Sequence, residues 1–310
     1  METVAIGLAH RVGDRALDWL GAVRSCFALP SETPAHEIDG DALKSLSELA
    51  LAMWIVRREA VSGPRTAATA EALLEFAWRE LHNGDLLHQL QQHTPAATHP
   101  LEIYSFFAAT GYRHPALEEL TTHLAGLRAS RVPEQVPNRR LAVLAAARRI
   151  GIPIHDDPAT LTALTWLGGT PEPWMLDANN AYGLTHTVFH LTDWGATPEG
   201  LPWELEDYLH HWLPVWVETF DEAGFWDLLA ELLIVGVCLR RPHFYPHVWE
   251  HIAQAQRDDG MVPNGVTRPH EEPERAFRNH HHPTVVAVVA TTLTVSRALS
   301  PLAPAQREPG

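Results

Sequence analysis

Apolar residues recur at helical spacing along nearly the whole chain. Between residues 41 and 60 the apolar positions fall mostly three and four residues apart, at Leu43, Leu46, Leu49, Ala50, Met53, Trp54 and Val56. The same period predicts helices over residues 67–81, 101–110, 114–129, 138–150, 158–167, 179–193, 203–218, 222–239, 245–257 and 282–299. Strand-like alternation is hard to find, with residues 4–8 as a weak candidate. The pattern predicts an all-α fold.

Short breaks that contain Pro or Gly separate the predicted helices. Helices joined in this way form consecutive antiparallel hairpins, which either stack into a solenoid or close into a ring. We expect one domain over residues 1–300, followed by a flexible tail at 301–310. Residues 1–135 carry no recognisable chemistry and are expected to complete the ring, whereas residues 136–300 carry the candidate site. The irregular stretch 260–279 predicts a long loop, either a lid or a mobile segment.

Composition narrows the function classes. Asp and Glu outnumber Lys and Arg by 38 to 23, giving a formal charge of −15, so nucleic acid and anionic membrane surfaces are not expected as partners. Two cysteines, Cys26 and Cys238, are too few for a disulfide framework and suit a reducing compartment. No signal peptide is recognisable, so a cytoplasmic protein is expected. The expected partner is a small molecule or short peptide, with a homodimer left open.

Histidine is unusually frequent, with 20 residues, and two of these line up on one predicted helix. Within residues 179–193, four polar residues are spaced four, four and three positions apart and share one side of the predicted helix: Tyr182, His186, His190 and Asp193. Leu184, Val188, Phe189 and Leu191 between them are apolar, so the helix is predicted to be buried on most sides. Imidazoles and a carboxylate are costly to bury without partners, which predicts a metal, a polar substrate or a water-filled cavity beside them. The alternative is a satisfied core histidine with ordinary hydrogen bonds.

Two further groups carry candidate chemistry. Asp227 and Glu231 share one face of an otherwise apolar helix, and the alternative to a functional role is a pair of caps or ion pairs to Arg240 or Arg241. Three consecutive histidines at 280–282 precede the apolar run 285–290. His282 is favoured as the functional one because it is nearest that run, although a solvated loop triplet is the alternative. The turn at 256–260 is interpreted as structural.

The order of these motifs resembles the terminal repeats of α/α-toroid proteins, the terpenoid cyclase and protein prenyltransferase-like barrels. The motifs are an Asp/Glu helix, then Gln-x-x-Asp-Gly at 256–260, then His-x-Thr before a small apolar helix. The string at 182–195 is also similar to that of a bacterial, mainly actinomycete family of unknown function. This chain departs from that family at Gly183, His190 and 281–283. The resemblance covers about residues 140–300 and implies an α/α toroid or incomplete barrel more firmly than it implies an activity.

In such a toroid the polar stripes of the inner helices would face a common central cavity. The expected metal ligands are His186, His190, Asp193 and His282, and the expected catalytic residues are Tyr182, Asp227 and Glu231. Imidazoles with carboxylates suit a transition metal ion, Fe, Cu or Zn, better than Mg. The leading hypothesis is therefore a metal-dependent enzyme that transforms a small, partly apolar molecule. Oxidation ranks slightly above cyclisation or hydrolysis, and the resemblance implies a setting in specialised bacterial metabolism.

Two alternatives remain open. The first is a metal-free cyclase or isomerase, in which Asp227 or Glu231 is the general acid and His186 takes the final proton. The Asp-rich motifs of class I and class II terpene cyclases are not recognisable in this sequence. The second is a non-catalytic helical scaffold that binds a peptide in a concave face.

Overall fold

The computed structural model describes residues 2–30, 33–265 and 272–300, and this part of the chain contains helices and no strand. The α-helices are α1 Glu2–Ala22, α2 Gly40–Glu59, α3 Pro64–Glu80, α4 Asp85–His93, α5 His99–Ala109, α6 Pro115–Ala125, α7 Pro137–Ile150, α8 Pro158–Ala163, α9 Ala178–Thr192, α10 Trp203–Glu222, α11 Trp226–Cys238, α12 Pro246–Ala255 and α13 Pro273–Leu299. The predicted all-α class is confirmed. Within the described residues, no helix is both long and apolar enough to cross a membrane.

Six helices contact one another in a cyclic order. Along this cycle α2 packs against α5, α5 against α7, α7 against α9, α9 against α11, α11 against α13, and α13 against α2 again. The remaining helices pack outside this cycle: α1 lies against α13, α12 and α3, α8 lies against α7, and α10 lies against α11. The cycle includes α2 and α5 from the first half of the chain and α7, α9, α11 and α13 from the second.

Local signals in the sequence explain where α9 begins and ends. The Asp177 side chain caps the helix by accepting a hydrogen bond from the backbone N–H of Asn180 at 2.8 Å. The helix ends at Thr192 because Asp193 adopts a left-handed conformation with φ 45°. Asp193 therefore follows the helix and is not part of it.

Some predicted boundaries are wrong. Residues 4–8, the weak strand candidate, lie in helix α1, and neither α1 nor α4 was predicted. Helix α13 begins at Pro273, so residues 273–279 of the expected loop are helical, whereas 266–271 lie outside the described residues. The helix predicted over 282–299 therefore begins nine residues earlier, and Pro283 is accommodated inside it. The predicted tail at 301–310 also lies outside the described residues.

Candidate functional site

All six helices of the cycle contribute side chains to one cavity of about 210 Å³. Its walls are largely apolar, from Leu51 and Phe106 to Val285 and Val289. The polar side chains that line it are Ser47, Glu48, Glu102, Asn138, Arg139, Arg149, His186, His190, Glu231 and His282. Small-molecule sites are usually apolar chambers with polar groups on the wall, and this cavity has more polar side chains than most.

Tyr182 on α9 and Asp227 on α11 are joined by a short hydrogen bond. The Tyr182 hydroxyl donates to Asp227 Oδ2 at 2.5 Å, and the other oxygen, Oδ1, is buried with no hydrogen-bond partner among the described residues. Burial, together with the Asp227 carboxylate, raises the pKa of Tyr182, so its hydroxyl stays protonated and keeps donating. His282 Nε2 lies 3.9 Å from the same Oδ2. Asp227 thus stands behind the cavity wall, between a phenol and an imidazole.

Glu231, one turn further along α11, reaches the cavity itself. Its side chain is only 4% exposed, and its Oε2 accepts a hydrogen bond of 2.5 Å from the Thr185 hydroxyl. His186 Nε2 lies 3.7 Å from Oε1, and the His186 side chain is 45% exposed. Glu231 is therefore a buried carboxylate that lies beside a half-exposed imidazole.

Neither Asp227 nor Glu231 is neutralised by arginine. Among the described residues, the only basic side chains within 4 Å of these carboxylates are histidines. Arg240, one of the two partners considered from the sequence, pairs with Glu206 instead, with Nη1 2.5 Å from Oε2. The interpretation of Asp227 and Glu231 as ion pairs to arginine is wrong.

His282 on α13 faces the cavity and pairs with Glu48 on α2. The distance from His282 Nδ1 to Glu48 Oε2 is 3.0 Å. Burial alone would lower the pKa of His282, but the carboxylates of Glu48, Glu231 and Asp227 outweigh it and raise that pKa. Burial likewise opposes the charge on Glu48, whose pKa is nevertheless lowered by His282. Each side chain therefore favours the charged form of the other, although the two atoms form no hydrogen bond.

The two neighbouring histidines make their hydrogen bonds to other residues, although His281 Nε2 also lies 3.8 Å from Glu48 Oε2. His280 Nδ1 accepts a hydrogen bond from the backbone N–H of Asn264 at 2.8 Å, which ties the preceding loop to α13. His281 Nδ1 lies 2.9 Å from the Phe277 carbonyl oxygen, and its Nε2 lies 2.9 Å from Ser45 Oγ on α2. Of the three consecutive histidines, His282 alone lines the cavity.

His190 and Asp193, the other predicted ligands on this segment, have different surroundings. His190 lines the cavity, and burial together with nearby positive charges lowers its pKa well below the ordinary range, so its imidazole is neutral. Asp193 accepts a hydrogen bond of 2.6 Å from Arg149 and is not among the residues that line the cavity. The structure does not bring Asp193 together with His186, His190 and His282.

The predicted ligand set does not form a compact metal cage. The rings of His186 and His190 are 6.1 Å apart between centroids. Within the described residues, three ligand atoms of His, Cys, Asp or Glu that all lie within 4.8 Å of one another occur only at Glu218, Asp221 and His247, outside the cavity. Metal ligands at about 2 Å from one ion must lie closer together than this limit. The cavity as it stands suits proton transfer better than metal ligation.

Sequence reasoning missed the contributions of the first half. Glu48 and Glu102 come from α2 and α5, and they were not distinguishable from surface glutamates on amphipathic helices. Glu48 even has Lys44 four residues before it, with 3.7 Å between Nζ and Oε1, which is the pattern of a solvated helix face. The signal that could have found Glu48 is its position next to Leu49 and Ala50 in a helix that is apolar on most sides.

The sequence model of one protein family, described as a domain of unknown function, DUF6895, matches residues 13–292. The chain belongs to the DUF6895 family. No curated protein and no solved structure matches it. The DUF6895 region contains all the residues that line the cavity. The expected membership of a family of unknown function is confirmed, and the activity of this DUF6895 protein has to be inferred from the site.

Proposed function

We propose that this protein is an enzyme that catalyses isomerisation or cyclisation by proton transfer, acting on a small, partly apolar molecule in the central cavity. The observation that carries the proposal is the arrangement of Glu231 and His282. Both line one apolar cavity, one as a buried carboxylate without an arginine partner and the other as an imidazole whose charge Glu48 stabilises. A base and an acid beside the same bound molecule are what such a reaction requires.

We further propose that the helices form an α/α toroid of the terpenoid-cyclase kind. The cyclic contact order α2, α5, α7, α9, α11 and α13 supports this arrangement, as does the contribution of all six helices to one cavity. A setting in specialised bacterial metabolism rests on the sequence resemblance alone.

The charges around the cavity favour a neutral or cationic occupant. Arg139 pairs with Glu102, with Nη1 2.6 Å from Oε2, and Arg149 pairs with Asp193. Both cavity arginines are thus already engaged by carboxylates. The remaining carboxylates, Glu48, Asp227 and Glu231, face only histidines within ion-pair distance apart from the Lys44 contact of Glu48. A developing positive charge on the substrate is stabilised by this excess of negative charge.

Six polar residues have a role in this reaction. His282, held as a cation by Glu48, donates a proton to the substrate. Glu231 removes a proton from another atom, and half-exposed His186 passes it to solvent. Asp227, fixed by the Tyr182 hydroxyl, stabilises the charged His282. One proton is added and one removed, so the product is an isomer of the substrate.

The other functions considered from the sequence fit the cavity less well. A metal-dependent oxidation needs ligand atoms close to one point, whereas the predicted ligands are spread along the wall. A peptide-binding scaffold needs an open concave face, whereas Glu231 is buried in a cavity lined by six helices.

The test uses solvent deuterium. The purified protein is incubated in heavy water with a library of unsaturated neutral and amine-bearing small molecules, and the products are analysed by mass spectrometry. We expect at least one compound to be converted to an isomer that carries deuterium. Glu231→Gln and His282→Asn should each slow that conversion by about a hundredfold or more, in line with the loss of a general acid or base. Glu75→Gln, which changes an exposed glutamate on α3, is the matched control and should convert at the wild-type rate.

The competing functions give different results. A product that has lost two hydrogens or gained oxygen, with activity that disappears after chelation, would replace this proposal with metal-dependent oxidation. Equal conversion by wild type, Glu231→Gln and His282→Asn would also overturn it. If no compound is converted but peptides bind at the cavity, the hypothesis of a non-catalytic binding scaffold is correct.

A further inference from the structure

We propose a second site, separate from the cavity, that binds a divalent transition metal ion between α10 and α12. Glu218 and Asp221 lie one turn apart on α10, and His247 and His251 lie one turn apart on α12. None of these four residues lines the central cavity. This inference therefore does not depend on the proposed function.

The two helices bring the ligand groups together. His247 Nε2 lies 2.8 Å from Glu218 Oε1, and His251 Nδ1 lies 2.7 Å from Asp221 Oδ2. One ligand atom from each of Glu218, Asp221 and His247 lies within 4.8 Å of the other two. Ligands around a tetrahedral zinc ion, each at about 2.1 Å, are separated by about 3.4 Å. Side-chain rotations alone would bring these three atoms onto one ion.

The buried carboxylate of Asp221 supplies a second, independent reason. Its side chain is 6% exposed, and its Oδ1 is buried with no hydrogen-bond partner among the described residues. A buried carboxylate oxygen without a partner carries a desolvation cost that a metal ion would offset. If the four residues only formed two histidine–carboxylate hydrogen bonds, Asp221 Oδ1 would still be buried without a partner.

His251 has a positioning role in this site. Its Nδ1 contacts one oxygen of Asp221 and so orients the carboxylate whose other oxygen has no partner. Outer partners of this kind fix the direction of a ligand and raise metal affinity. With three protein ligands, one coordination position is left for water, and a nitrogen and oxygen ligand set of this kind suits zinc or a neighbouring transition metal.

The ion would join helices that belong to different packing groups. Helix α12 packs against α1, whereas α10 packs against α11. The polar contacts from Glu218 to His247 and from Asp221 to His251 bridge these groups. A bound metal would hold α12 against the end of α10. The first effect of the metal would therefore be to stabilise the fold.

Zinc titration with a competing chromophoric chelator, using the full chain without a histidine tag, tests the site. We expect the affinity for one zinc ion to fall by more than a hundredfold in His247→Ala, because this removes a direct ligand. His251→Asn should lower the affinity by about tenfold to a hundredfold, as the loss of an outer partner does. The control is His211→Asn, which changes an exposed histidine on α10 outside the cluster and should bind like wild type.

Two readouts separate this site from other histidines. Zinc should raise the melting temperature of wild type and His211→Asn but not of His247→Ala, and a chelator should reverse the rise. A double variant His186→Asn, His282→Asn should keep the tight zinc ion. Zinc binding that is lost in this double variant but kept in His247→Ala would overturn the proposal. Binding no tighter than about 1 mM in wild type, the level of the weakest metal sites, would do the same.

Discussion

The ion pair between Glu48 and His282 makes the stability of the protein depend on pH in a defined direction. The substitution Glu48→Gln keeps the size of the side chain and removes its charge. The distance from His282 Nδ1 to Glu48 Oε2 is 3.0 Å, but the two atoms form no hydrogen bond, and the side chains are 31% and 16% exposed. The contact is therefore an ion pair, and exposed ion pairs contribute about 0.2–1 kcal/mol. Because this pair is more buried than an exposed one, we expect the upper end of this range, a loss of about 1 kcal/mol in the free energy of unfolding.

The pH dependence follows from the two pKa shifts. The pKa of His282 is raised above its ordinary 6.5, so its contribution is fully present below pH 6.5 and is lost as pH rises through the folded-state value. The pKa of Glu48 is lowered below 4.5, so its contribution is present above pH 4.5 and is lost as pH falls through the folded-state value. The cost of Glu48→Gln is therefore greatest between pH 4.5 and pH 6.5.

Urea unfolding of wild type and Glu48→Gln at about pH 5.5 and about pH 9 measures this difference. At the higher pH the imidazole loses its charge, and the cost should fall to about 0–0.5 kcal/mol. The control is Glu71→Gln, whose partner is an arginine and not a histidine, so its small cost should be the same at both pH values. A cost for Glu48→Gln that is equal or larger at the higher pH would refute the reasoning. A His282 titration by NMR that moves upward in the variant would refute it as well.

Two further predictions concern the packing around the site. Tyr182→Phe removes the donor to buried Asp227 and should lower the free energy of unfolding by about 1–3 kcal/mol in urea titrations, and no loss would mean that Asp227 is already solvated. Gly200→Ala places a Cβ 2.0 Å from the Leu191 carbonyl oxygen, a backbone atom. This substitution should cost about 1–3 kcal/mol by thermal or urea unfolding, whereas Gly169→Ala, with open space around it, should cost less; equal costs would contradict the steric argument.

Local patterns were sufficient to predict the helices that carry the site. Periodicity placed the helix over 179–193, and the structure has it from Ala178 to Thr192. Periodicity also placed His186 and His190 on one side of that helix, and both line the cavity. The prediction from helical spacing was wrong for Asp193. That spacing applies only within a helix, and α9 ends at Thr192.

What could not be predicted depends on contacts between distant segments. Glu48 is paired with His282 only because α13 packs beside α2. No local sequence pattern indicates that these two helices are in contact. The same holds for Arg149, whose guanidinium reaches both Ser105 and Asp193. The start of α13 was predicted too late, because the mostly polar residues 273–279 lack the apolar period that marks the rest of the helix.

The closing contact of the helix cycle has a consequence for how the chain folds. Ser45 on α2 meets His281 on α13 across a sequence separation of 236 residues. Contacts this distant form slowly, because a long intervening segment must first be ordered. Until α13 arrives, the apolar flanks of α2 and α11 have no cover, and partly folded chains with such surfaces tend to aggregate. During synthesis on the ribosome, the cavity therefore cannot form until α13 has emerged from the exit tunnel. A chaperone that covers the exposed apolar surfaces matters most in the interval before α13 packs against α2 and α11.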